Sequence, residues 1–107
     1  MLVGIVGWRG MVGSVLIQRM LQEGDFNFFE TKFFSTSNAG GKVPEKIKFK
    51  GSHILADGFD ESALADCDVI LTCQGSEYSR KMFPTLRSKG WSGFWIDASR
   101  EFRMEEE

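Results

Sequence analysis

The stretch that decides the fold is Gly7-Trp8-Arg9-Gly10-Met11-Val12-Gly13, in which glycine stands at every third position. It follows Leu2 to Val6, a short apolar run rich in β-branched residues that predicts a buried strand. A helix is predicted from Met11 to Gln22, because apolar residues recur there at helical spacing, and Gly24 is placed to end it. A glycine-rich turn from a strand into a helix is the pattern of a phosphate-binding loop.

Each glycine of this loop has its own expected role. Gly7 lets the chain turn sharply out of the strand, Gly10 lets the backbone approach a pyrophosphate, and Gly13 lets the helix pack closely against the strand. The start of the helix then offers unpaired N–H groups and the positive end of its dipole to the phosphates. The loop therefore predicts a dinucleotide site, and the alternative is a structural turn that binds no ligand.

The rest of the chain alternates between strand and helix patterns. Further strands are predicted at Lys32 to Ser35, weakly at His53 to Leu55, at Val69 to Cys73 and at Phe94 to Asp97. Further helices are predicted from Asp60, as a cap, to Ala65, and from Glu77 to Lys89 with an interruption or kink at Pro84 and a stop at Gly90. This alternation predicts an α/β fold, a Rossmann-like parallel sheet with helices on both faces.

Candidate binding residues follow several of the predicted strands. Ligands of open α/β sheets bind outside the carboxyl ends of the strands. Thr36 and Ser37 follow the second strand, Gln74 follows the strand that starts at Val69, and Ser99 to Arg103 follow the last strand. We expect these residues to share one edge of the sheet with the glycine loop.

The end of the second strand bears on which dinucleotide is bound. NAD-binding folds usually carry an acidic residue there, about 20 residues past the loop. Glu30 has roughly that offset but precedes the predicted strand, whose end, Ser35 to Ser37, is neutral and rich in hydroxyls. Hydroxyls can donate to a 2′-phosphate that a carboxylate would repel, and Arg9 adds positive charge. The residues favour NADP, although Ser35 to Ser37 can also be read as an ordinary loop entry.

Composition excludes several classes of function. The 107 residues are 42% hydrophobic and 26% charged, as expected of one globular domain. The 13 basic and 15 acidic residues are well mixed, so no nucleic-acid partner is expected. No apolar run approaches the roughly 18 residues of a membrane span, and no secretory leader is evident. We expect a cytoplasmic protein with no membrane partner and no metal, whose two cysteines are reduced and buried.

Four segments carry a resemblance to a known family. They are Gly-Trp-Arg-Gly-Met-Val-Gly-Ser-Val-Leu (7–16), Phe-Phe-Ser-Thr-Ser (33–37), Thr-Cys-Gln-Gly (72–75) and Trp-Ile-Asp-Ala-Ser (95–99). In order and over almost the whole chain, they resemble the amino-terminal NADP-binding domain of bacterial aspartate-semialdehyde dehydrogenases. The resemblance implies a homodimeric parent enzyme that converts L-aspartyl 4-phosphate to aspartate semialdehyde, towards lysine, threonine and methionine.

The resemblance also implies roles for individual residues. Arg9 to Val12 would hold the pyrophosphate region between Gly7 and Gly13, Thr36 and Ser37 would meet the adenosine phosphate, and Gln74 would line the cofactor. Arg103 would grip the substrate phosphate, a task that suits the guanidinium fork. The sequence departs from the family just ahead of it, at Arg100-Glu101-Phe102, and the alternative for Arg103 is a solvated side chain.

The family's nucleophilic cysteine and base histidine match no residue here. Cys67, Cys73 and His53 all lie outside the family's catalytic motifs, so no catalytic residue is assigned. Residues 1–107 are therefore expected to be a fragment, an NAD(P)-binding domain that is inactive alone, without the catalytic and dimerisation domain. The alternatives are a cofactor domain like that of N-acetyl-glutamyl-phosphate reductase, against which Trp8-Arg9 and Thr72 to Gly75 argue, and a non-catalytic nucleotide-sensing module.

Overall fold

Five parallel strands form a single sheet in the order β3-β2-β1-β4-β5. The computed structural model describes residues 1–98, apart from the side chains of Met11 and Val12. The elements are β1 (Leu2–Val6), α1 (Met11–Glu23), a 3₁₀ turn (Asp25–Asn27), β2 (Glu30–Ser35), β3 (Ala56–Asp57), α2 (Glu61–Ala65), β4 (Val69–Thr72), α3 (Ser76–Ser88) and β5 (Phe94–Asp97). The predicted α/β class and parallel sheet are confirmed.

Both faces of this sheet are covered by helices, as predicted. Ile5 and Val6 are neighbours in β1, and both are completely buried. Ile5 belongs to a core cluster on the α1 side, and Val6 belongs to a second cluster on the side of α2 and α3. Because successive residues of a strand point to opposite faces, the sheet is sandwiched between two helical layers. The helical members are Ile17 and Met20 on one side, and Leu64, Tyr78, Met82 and Leu86 on the other.

The order in which the chain adds strands to the sheet reverses at β1, although all five strands are parallel. β1 pairs with β2 on one side and with β4 on the other, and its last residue, Val6, is level with Phe34 and Thr72. The loops that leave β2, β1 and β4 therefore begin at the same edge. Such a switch point opens a crevice at the carboxyl ends of the strands.

One residue aligns three strands at the opposite edge. The amide of Leu2 donates to the Asp68 carboxylate at 2.8 Å, and the Asp68 amide donates to the Leu2 carbonyl at 2.8 Å. The Asp68 carbonyl accepts a hydrogen bond from the Phe94 amide at 3.0 Å. Asp68 thereby sets the register of β1, β4 and β5.

Two local predictions need correction. The strand predicted at His53 to Leu55 begins only after Leu55 and spans Ala56–Asp57. Leu55 pairs instead with its own loop, because its amide donates to the Gly41 carbonyl and its carbonyl accepts from the Gly40 amide.

The third helix is also longer than predicted at its start. α3 spans Ser76–Ser88 with Pro84 inside it and is not interrupted there. The burial of Tyr78, Met82 and Leu86 anchors one face of α3 on both sides of the proline. Within residues 1–98, no helix combines the length and apolar character needed to cross a membrane.

The tight packing of α1 on the glycine loop gives a stability prediction. A Cβ at position 13 would lie 2.4 Å from the Trp8 Cα and 2.5 Å from the Gly7 carbonyl oxygen. We therefore expect Gly13→Ala to lower the free energy of unfolding by about 3 kcal/mol, the upper range for overpacking. Urea denaturation measures the change.

Gly10→Ala is the matched control, because a Cβ at position 10 has no atom within 4 Å. It should cost at most about 1 kcal/mol, the difference between glycine and alanine at a helix N-cap. Equal losses for the two variants would contradict the packing argument.

Candidate functional site

A cavity of about 240 Å³ opens at the carboxyl edge, where the loops after β1, β2 and β4 meet. Its lining consists of Gly7, Trp8, Arg9, Gly10, Phe34, Ser35, Thr36, Ser37, Cys73 and Gln74. Six of the candidate cofactor residues are in that set, namely Gly7, Arg9, Gly10, Thr36, Ser37 and Gln74. Gly13 packs behind the loop, and Met11 and Val12 supply backbone to the first turn of α1. Arg103 lies outside the described residues.

Gly7 and Gly10 serve the site in different ways. Gly7 has a φ of +77°, and a Cβ there would lie 2.7 Å from the amide nitrogen of Gln74. The β1 and β4 loops therefore approach each other too closely at this point to leave room for a side chain. Gly10 has an ordinary φ of −74° and faces open space. Its missing side chain therefore leaves a cradle that a ligand can fill against the backbone.

The start of α1 is suited to an anion. Gly10 is the N-cap, so no side chain caps the first amides, and the first turn contains no acidic residue. The uncapped N–H groups and the positive end of the helix dipole favour negative charge at this position. α3 also starts at this edge with a glycine N-cap, Gly75, but Glu77 lies in its first turn. The start of α1 is therefore better suited to an anion than the start of α3.

Ser35 shapes the loop after β2. Its side chain is buried, and its hydroxyl oxygen accepts hydrogen bonds from the amides of Ser37, at 3.2 Å, and Asn38, at 2.8 Å. The chain is thereby folded back so that Thr36 and Ser37 line the cavity. All three hydroxyl residues that the sequence singles out line the cavity, but the Ser35 hydroxyl is already used within its own loop.

A neighbouring cavity of about 370 Å³ extends the site towards α3. It shares Thr36 and Gln74 with the first cavity and adds Phe59, Glu77, Tyr78 and Lys81. The Tyr78 hydroxyl donates to the Gly58 carbonyl, and the Lys81 ammonium lies 5.0 Å from the centre of the Phe59 ring. Sequence reasoning missed these residues. The available signal was the spacing of residues 77, 78 and 81 on the first turns of a helix that starts at the carboxyl edge.

Comparison with known proteins agrees with this geometry. Residues 2–107 match the family described as semialdehyde dehydrogenase, NAD binding domain. The chain belongs to this family. A solved structure of aspartate semialdehyde dehydrogenase from Francisella tularensis superposes with a TM-score of 0.81 and 41% sequence identity. The match covers 91% of this chain and 26% of that one, so the chain spans about a quarter of the length of this relative.

The resemblance to aspartate-semialdehyde dehydrogenases is therefore confirmed. The family is described as an NAD-binding domain, and the matched range includes the glycine loop. Within residues 1–98, no group of three or more His, Cys, Asp or Glu is placed to hold a metal ion.

The two cysteines of this domain are both protonated at neutral pH. Burial, followed by the negative charge of Asp97, raises the pKa of Cys73 to about 11. Burial raises the pKa of Cys67 to about 12. Because the thiolate is the nucleophilic form, neither side chain has the activation that thiol catalysis requires.

This ionisation state predicts slow alkylation. At pH 8 Cys73 should react with iodoacetamide on the order of a hundredfold more slowly than an unstructured cysteine, whose pKa is about 8.5. Removing the Asp97 charge by Asp97→Asn lowers the pKa of Cys73 and should therefore raise its rate at fixed pH. Peptide mass spectrometry follows both cysteines in the same sample. Cys67, which Asp97 does not influence, is the internal control, and equal acceleration of both thiols would indicate general opening of the fold instead.

Proposed function

We propose that this domain binds NADP, with the pyrophosphate against the backbone of Gly10 and the first turn of α1. The observation that carries the proposal is the open space at Gly10 above a helix start that no side chain caps. A diphosphate supplies the negative charge and the acceptor oxygens that this position lacks. Gly7 and Gly13 hold the loop in place, and Met11 and Val12 contribute main-chain N–H groups.

The adenosine half of the cofactor is proposed to lie towards the loop after β2 and the neighbouring cavity. Thr36 and Gln74 line both cavities, so a single extended molecule can contact them from the glycine loop onwards. The rings of Phe59 and Tyr78, whose centres are 5.8 Å apart, offer an aromatic wall for the base. Ser37, which lines the cavity, is proposed to donate its hydroxyl to a phosphate on the ribose.

Charge supports NADP over NAD. Within the described residues, the cavity at the glycine loop is lined by no carboxylate, and the neighbouring cavity is lined by one carboxylate, Glu77, and one ammonium, Lys81. Glu30 is the first residue of β2, at the opposite end of the strand from the cavity. The Arg9 guanidinium lies 5.8 Å from the centre of the Trp8 ring. Among residues 1–98 it has no ion pair, so its charge remains available to the 2′-phosphate.

The parent activity is proposed from the family. In it, NADPH reduces L-aspartyl 4-phosphate to aspartate semialdehyde with release of phosphate, in the cytoplasmic synthesis of lysine, threonine and methionine. The bound cofactor supplies the hydride, and this domain binds and orients it. Arg103 is proposed to hold the substrate phosphate. Because the family's nucleophile and base match no residue of 1–107, the chain alone is proposed to be inactive and to work within a larger, homodimeric enzyme.

Backbone access at position 10 is testable. Gly10→Val fills the cradle, so the dissociation constant for NADP should rise at least tenfold, which corresponds to about 1.4 kcal/mol. Isothermal titration of the 107-residue chain measures it, with urea denaturation to show that the variant is folded. Unchanged affinity in a folded variant would place the pyrophosphate elsewhere.

Cofactor selectivity is tested at Arg9. Arg9→Gln should raise the dissociation constant for NADP about tenfold or more, as expected for the loss of a charge-assisted hydrogen bond, and leave that for NAD nearly unchanged. Arg19→Gln removes the same charge from an exposed position on α1 that does not line the cavity, and it should alter neither constant. Parallel weakening of NADP and NAD by Arg9→Gln would contradict a role in reading the 2′-phosphate.

A further inference from the structure

A groove separates α1 from the segment 42–47 on the α1 side of the sheet. Its volume is about 490 Å³, roughly twice the 240 Å³ of the cavity at the glycine loop. Ser14, Ile17, Gln18 and Leu21 form one wall. Since these positions recur at helical spacing over two turns, the groove runs along α1, away from the carboxyl edge.

The inner surface of the groove is apolar. Ile17 and Ile47 contribute from the core, where both are almost completely buried, and Trp8 closes the end nearest the glycine loop. Leu21 and Pro44 extend the apolar surface outward on the two walls. A volume of this size lies within the range of small-molecule pockets, roughly 300–1,000 Å³.

The rim of the groove is positively charged. Arg9, Lys42 and Lys46 line it, and among residues 1–98 it is lined by no Asp or Glu. None of the three cations makes an ion pair within that part of the chain. The chain as a whole has a formal charge of −2, so this positive region contrasts with the rest of the surface. Such a cleft attracts anions.

The Trp8 side chain adds an unsatisfied donor. Its indole nitrogen is buried and has no hydrogen-bond acceptor among the described residues. Buried donors without a partner are uncommon because each costs free energy. An acceptor bound beside Trp8 would remove that cost.

We propose that this groove is a second binding site, for a small organic anion with a planar apolar body. The ring would lie against the apolar surface between α1 and the segment 42–47, and the anionic group would lie at Lys42 and Lys46, which line the groove and not the dinucleotide cavity. The groove shares Trp8 and Arg9 with the cavity of the proposed dinucleotide site, but it follows the length of α1 and excludes Thr36, Ser37 and Gln74.

The test uses 1-naphthyl phosphate as the probe and the 107-residue chain labelled with ¹⁵N. Amide chemical shifts of Gln18, Leu21 and Ile47 should change saturably with the probe, and those of Thr36 and Ser37 should not. Neutral 1-naphthol, which keeps the ring, should bind more weakly. Saturable binding at the groove that depends on the phosphate supports the proposal.

A lysine pair provides matched variants. Lys46→Gln should weaken binding of 1-naphthyl phosphate about fivefold, the size expected of one partly exposed ion pair. Lys48→Gln removes the same charge two residues away, outside the groove, and should have no effect.

Three results would overturn the proposal. The first is a set of shift changes centred on Gly10 and Thr36, which would mean that the probe occupies the dinucleotide site. The other two are equal affinity for 1-naphthol and equal effects of the two lysine variants. Because none of these results depends on NADP affinity, failure here is distinguishable from failure of the proposed cofactor function.

Discussion

The close contact between the start of α1 and the turn before it governs the arrangement of this domain. Gly13 has no side chain, so the helix lies directly against the Trp8 backbone and the Gly7 carbonyl. The first turn of α1 therefore lies at the carboxyl edge of the sheet, where β1 ends. Beside this contact the Trp8 indole lies in the core and meets the Phe33 ring edge-to-face, with 5.4 Å between the ring centres. The two cavities beside Trp8 lie on either side of this junction.

Fold and ligand binding make different demands on neighbouring residues of the site. A side chain at Gly7 or Gly13 would clash with backbone of this chain, whereas a Cβ at Gly10 would meet no atom of it and the space there is open to a ligand. The same division recurs after β2, where the Ser35 hydroxyl is used internally and the next two residues line the cavity. Each loop therefore contains a residue that fixes its shape beside residues that face outward.

Much of the fold and of the candidate dinucleotide site could be predicted from the sequence because the signals for them are local. The strand, glycine loop and helix at residues 2–23 are contiguous, and the side chain absent at Gly13 would clash with Trp8 and Gly7, only a few residues away. The cavity that includes Phe59 and Tyr78 could be predicted only in part, since the place of Phe59 beside Tyr78 depends on how the segment before α2 packs on α3.

The segment 42–55 shows the same limit. Val43 and Ile47 are buried although they lie in a polar, glycine-containing stretch without strand or helix periodicity. Leu55 pairs with its own loop, so β3 begins only at Ala56, after the weak pattern at His53 to Leu55 that predicted it. Tertiary contacts decide such segments, and no local pattern reports them.

The alignment of three strands by Asp68 has a consequence for biosynthesis. Leu2 and Asp68 are 66 residues apart, so β1 leaves the ribosome long before its central partner β4 exists. Parallel neighbours cannot be joined by a short hairpin, and pairings distant in sequence form slowly. In that interval the apolar surface at Val6 and Phe34 lacks the helices that later cover it, which is the condition under which nascent chains aggregate or engage chaperones. The contact between Gly7 and Gln74 forms only after β4 has emerged, so a nucleotide can stabilise the domain only late in its synthesis.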